Sequence, residues 1–129
     1  MGVDDEMKFV KIIVCVPKTH MEPILDAMHK HGCGSLGDGK YEGVAFLTFG
    51  HGTWIAMKGS KPFKGRLNRR EMVQEVKVET TCLASKANEV VKVLRSIHPY
   101  EEPMVEIYPL EAVELKSTAK GAVEVLKYK

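Results

Sequence analysis

Hydrophobic and polar positions change period several times along the chain, and each change marks a predicted element. Residues 8–16 (KFVKIIVCV) are nearly continuous in hydrophobicity and rich in β-branched side chains, the pattern of a strand buried on both faces. Met21, Ile24, Leu25 and Met28 then fall at helical spacing. Thr19 and Glu22 read as a T-x-x-E capping box for that helix, and Gly32 as its stop. After a loop carrying five glycines between 32 and 43, residues 44–49 and 53–57 read as two strands turning at Gly50-His51-Gly52. Residues 58–71 lack any period. Met72, Val76, Val78, Thr80 and Cys82 mark one face of a long strand whose other face, Val73, Glu75, Lys77 and Glu79, is mostly polar. Ser85 is placed to cap a second helix with the stripe Ala87, Val90, Val91, Leu94 and Ile97. Residues 104–110 are a further strand, and 111–129 fit no single period.

Two strand–helix–strand halves with both helices on one face describe an α+β, ferredoxin-like βαββαβ sandwich. It forms one domain over 1–129, with a core at about 8–113 and a C-terminal extension over 114–129. Such a sheet has an open face. Phe9, Ile13 and Cys15 need cover if they point away from the helices, and further copies of the chain, two or three in all, would supply it.

The remaining composition narrows the function classes. With 129 residues, 44% hydrophobic and 28% charged, the chain has an ordinary globular balance. A net charge of +2 is too mild to imply nucleic acid without a clustered patch. One such patch exists: between Lys58 and Arg70 there are six positive side chains and no negative one, although only Phe63 could stack on a base. The opening Met1-Gly2-Val3-Asp4-Asp5-Glu6 carries no secretory pattern, no apolar run could span a bilayer, and Cys15, Cys33 and Cys82 form no CxxC pair. A soluble cytoplasmic protein with reduced thiols is expected.

Most of the candidate chemistry stands in His98-Pro99-Tyr100-Glu101-Glu102-Pro103, where two prolines stiffen a connection between helix and strand. His98, Glu101 and Glu102 carry atoms that suit a divalent metal, and His20, His29, His31 and His51 are the other imidazoles that could complete a site. The competing reading is a structural elbow, with His98 closing the helix and Tyr100 packed. His29 and His31, two residues apart, diverge on a helix and read as compensation of the helix dipole. His51 lies between glycines that would let backbone approach a ligand or simply make a turn, and the glycine loop is a weak candidate for an anion cradle.

An ordered series of landmarks adds a resemblance. Val16-Pro17 with His20, Gly32-Cys33-Gly34, Phe46-x-Thr48-Phe49-Gly50-His51-Gly52-Thr53-Trp54, Pro62 with Gly65, residues 71–79, and His98 to Pro103 before Tyr108-Pro109-Leu110 together resemble the CutA/PII-like inserted or stand-alone domain of the NIF-three-like (YbgI/YqfO) family. The HPYE core is similar, more narrowly, to the CutA divalent-cation-tolerance proteins, which implies the same ferredoxin-like fold, a homo-oligomer such as a trimer, and association with a metal. Two features depart from the family pattern: Ala45 stands near an expected Cys, and the flanking sequence that carries a dinuclear metal site in long members has no counterpart within these 129 residues. The expectation is a non-catalytic oligomeric binding or regulatory module. His20, His51, Tyr100, Glu101 and Glu102 would line its ligand site, and His98 would be the candidate metal ligand. The alternatives are a metal-dependent hydrolase, in which three ligands converge on one ion, and a nucleic-acid binder using residues 58–70.

Overall fold

The computed structural model describes residues 8–36 and 39–113. Strands β1 (Phe9–Pro17), β2 (Phe46–Ile55), β3 (Arg70–Leu83) and β4 (Val105–Pro109) and helices α1 (Met21–Lys30) and α2 (Ala87–Ile97) follow one another as βαββαβ. The sheet is antiparallel throughout, in the order β2-β3-β1-β4, so β1 is interior, as its unbroken hydrophobicity requires. Val10, Ile12, Val14 and Val16 of β1 and Val76, Val78 and Cys82 of β3 form one face of the core. Ile24 and Met28 of α1 and Ala87, Val90 and Leu94 of α2 close over them. The stripes read from the sequence are buried along most of their length, with Ile97 at the end of α2 and Met72 on the β3 overhang exposed, and the α+β ferredoxin-like architecture stands.

The two halves enter their helices in the same way, which corrects both predicted caps. A 3-10 turn, Lys18–His20 or Ala84–Lys86, stands between strand and helix in each half. It shifts the helix start beyond the predicted cap residue, so the N-caps are His20 and Lys86, neither with a side-chain cap bond. Glu22 then sits too close to the cap for a capping box, and Thr19 Oγ1 instead pairs with His20 Nδ1 at 2.8 Å.

A second correction concerns Gly50-His51-Gly52. Residues 46–55 form one continuous strand, paired with β3 from Phe46↔Glu79 to Ile55↔Arg70, with no turn at the glycines. The chain reverses instead in residues 56–69, the stretch without a period, where Asn68 takes a positive φ of 61°. A complete antiparallel partner outweighs the weak strand preference of two glycines. Within the earlier glycine loop, Gly34 is likewise structural. Gly34 donates to Thr81 O at 2.8 Å and accepts from Val44 N–H at 3.0 Å, so this amide is spent on backbone rather than turned toward an anion. The expected C-terminal extension over 114–129 lies outside the described residues.

Candidate functional site

β1 stops at Pro17, opposite Glu75, whereas β2 and β3 run on together to Ile55 and Arg70. The β2–β3 ribbon therefore overhangs the sheet. On the other side of β1, β4 pairs no further than Val14↔Val105, which leaves the Cys15 carbonyl beyond its end. The stiff corner 98–104 fills that step.

His98 makes the join. Its Nε2 lies 2.7 Å from Cys15 O, and its Nδ1 lies 3.1 Å from the Tyr100 backbone N–H. A carbonyl only accepts and an amide N–H only donates, so Nε2 carries the proton, Nδ1 accepts, and the ring is neutral. Burial pushes its pKa below the ordinary value near 6.5, against the opposing pull of the Cys15 carbonyl and Glu75. Both ring nitrogens are committed inside the protein, the geometry of the elbow reading rather than of a metal ligand. His98 is buried, and its backbone N–H also closes α2 on Leu94 O at 2.9 Å.

Tyr100 turns from this corner across to the ribbon, where its hydroxyl donates to Glu75 Oε2 at 2.5 Å. Burial first, and the Glu75 carboxylate second, push the phenol pKa upward, so Tyr100 remains a donor. Its ring meets Trp54 (centroids 5.4 Å, 62°), Phe63 (5.6 Å, 60°) and His98 (4.8 Å, 51°). Phe63 in turn meets His20 edge-on at 5.6 Å. Glu75 owes its position to Gly52, because a Cβ at Gly52 would fall on the Glu75 carboxylate.

These groups enclose a cavity of about 490 Å³, lined by Cys15, Trp54, Phe63, Glu75, Tyr100, Glu101, Glu102 and Met104 among others. Its size suits a small molecule. Glu101 ties its rim by accepting the Lys61 backbone N–H at 2.8 Å. Burial, with Glu75 and Glu106 next to it, pushes the Cys15 thiol pKa upward, away from nucleophilic character.

Of the residues singled out from the sequence, Tyr100, Glu101 and Glu102 line the cavity. His20 and His98 lie behind its aromatic wall. His51 is elsewhere: it pairs with Gln74, and side-chain alternation puts it on the opposite face of β2 from Trp54, beside Lys18 and Phe49. His29 and His31 each meet a separate carboxylate, Glu42 at 2.9 Å and Glu89 at 3.4 Å. Among the described residues no three His, Cys, Asp or Glu side chains converge on one point, so the convergence that the hydrolase reading required is missing there. Within the basic loop, Lys64 faces Glu71 at 3.9 Å and Arg70 bonds Thr53 at 3.0 Å.

Sequence reasoning missed Glu75 and Trp54 as site residues. Glu75 looked like one more polar residue on a wet strand face, and only the register sets it beside Gly52 and beneath Tyr100.

Comparison with known proteins fits this geometry. No protein-family model matches the chain. It is 37% identical over 100 residues, 78% of its own length, to a protein of Halalkalibacterium halodurans named GTP cyclohydrolase 1 type 2 homolog. A solved Bacillus cereus protein related to NIF3 superposes with a TM-score of 0.68 at 34% identity over 81% of the chain. The chain belongs to the NIF3-like family. It spans only 26% of either relative, so this NIF3-like chain corresponds to one segment of those longer proteins. The periplasmic divalent cation tolerance protein CutA of Archaeoglobus fulgidus shares its fold at 16% identity, with a TM-score of 0.59 over 92% of this chain and 99% of that one. Among the described residues no helix is long and apolar enough to cross a membrane.

Proposed function

We propose that this NIF3-like segment is a non-catalytic binding or regulatory module that assembles with copies of itself and takes a small polar ligand in the cavity between the overhanging β2–β3 ribbon and the 98–104 corner. The observation that carries the reading is the cavity itself, about 490 Å³, with the Tyr100–Glu75 hydrogen bond at one wall and three aromatic rings around it. The residues assigned to the site are Trp54, Phe63, Glu75, Tyr100, Glu101 and Glu102, with His20 and His98 supporting them from behind. The non-catalytic role is supported by the neutral imidazole of His98, whose two nitrogens are both hydrogen-bonded within the protein, and by the raised thiol of Cys15, neither of which is an activated catalytic group. The reaction implied by the relatives' name is not assigned to this segment, which covers about a quarter of them.

Assembly is supported by apolar side chains on the sheet and its outer strands: Phe46, Phe49, Met72, Ile107 and Tyr108 are all exposed, and among the described residues the ten-residue β2 is an edge strand of the sheet. The free thiols of Cys15, Cys33 and Cys82 suit the reducing cytoplasm, where we place the protein. Native mass spectrometry of protein purified without chelator tests both parts. A dimer or trimer retaining the mass of a small molecule, which Trp54→Ala releases without dissociating the subunits, is the expected result. A bare monomer would overturn the proposal.

A further inference from the structure

The lining of the cavity points to one chemical class. Trp54, Tyr100 and Phe63 all border it, and the neighbouring rings are inclined at about 60° to each other, not stacked flat. Inclined rings make a concave corner whose π faces and edges remain available to an occupant. Three carboxylates, Glu75, Glu101 and Glu102, share the same lining with a single ammonium group, that of Lys61. Neither Glu75 nor Glu102 has a Lys or Arg partner within ion-pair distance among the described residues. Tyr100 fixes one Glu75 oxygen by donating to it, and the absence of a side chain at Gly52 gives that carboxylate its place.

We propose that the cavity binds a small organic cation, an alkylated or protonated amine held against Trp54, Tyr100 and Phe63 with Glu75 and the Glu101–Glu102 rim as counter-charge. Electron-rich ring faces attract such ions, and quaternary ammonium groups suit them best because they have no tight hydration shell to lose and need no hydrogen-bond acceptor. An anion would meet the wrong charge, and a bare divalent metal would find no convergent set of three ligands among the described residues.

This inference rests on the cavity being the ligand site, and the test separates the two. Trp54 is the sole tryptophan, so its fluorescence reports on the cavity wall directly. Choline, its neutral isostere 3,3-dimethyl-1-butanol, inorganic phosphate and zinc are each titrated into the full chain. Choline is expected to change Trp54 emission saturably, with at least tenfold tighter binding than the neutral isostere. Glu75→Gln and, separately, the exposed rim variant Glu101→Gln are expected to weaken choline severalfold while leaving the isostere unchanged. The isostere binding as tightly as choline, both carboxylate variants binding choline at full strength, or saturation by phosphate or zinc alone would overturn the cation assignment and leave the cavity as a site for another class. No saturable response to any of the four would overturn the cation assignment together with the cavity reading beneath it.

Discussion

At the scale of single residues, His98 shows how a side chain with catalytic credentials becomes structural. The imidazole continues the hydrogen bonding of the sheet past the end of β4 through Cys15 O, and its other nitrogen fixes the Tyr100 amide. That role has a pH signature. Burial depresses the folded-state pKa below the ordinary 6.5, so above that value the ring is neutral in both states and stability is complete. As pH falls below it, the unfolded chain takes up a proton that the folded chain refuses, and stability declines until the folded value is passed. Urea midpoints are expected to fall between pH 7 and 5 in the native sequence and to show a shallower slope in His98→Gln, which keeps a side-chain donor but cannot titrate. An unchanged slope would show that other groups dominate acid unfolding. The chemistry of His98 was legible in the sequence; that both nitrogens were already taken was not, because Cys15 lies 83 residues away.

At the scale of elements, periodicity located both helices and strands β1, β3 and β4 but split β2 in two at its glycines, and the N-terminal capping signals misled. Thr19 and Ser85 have the right identities for N-caps, yet each falls inside a 3-10 turn that both halves insert before the helix. Apolar stripes are more dependable because burial acts on several residues at once. Leu94, fully buried between α2 and the sheet, is expected to cost about 2 to 5 kcal/mol on truncation to Ala. Gly34→Ala is expected to cost about 3 kcal/mol or more, since its φ is +76° and an added Cβ would collide with the Val44 backbone. Chemical denaturation of both variants checks this, and a Gly34→Ala loss well under 1 kcal/mol would show that the close approach is easily relieved.

At the scale of the whole molecule, the sheet has more apolar surface than two helices can cover. Phe46 is 68% exposed and projects from the face away from the helices. Phe46→Glu should therefore leave monomer stability nearly unchanged while shifting sedimentation or native mass spectra from multimer toward monomer; an unaltered multimer would place the interface elsewhere. Composition and periodicity by themselves determined the α+β class, both helices and most of the core stripes, because those depend on spacing within a dozen residues, whereas pairing with β3 made residues 46–55 one strand instead of two. The six residues from His98 to Pro103 marked the site from the sequence, but they hold only one of its walls. Tertiary structure alone brought Glu75, Trp54 and Phe63 to Tyr100 and sent His51 to the opposite face of β2, because register and strand overhang arise from pairing between segments far apart in the chain.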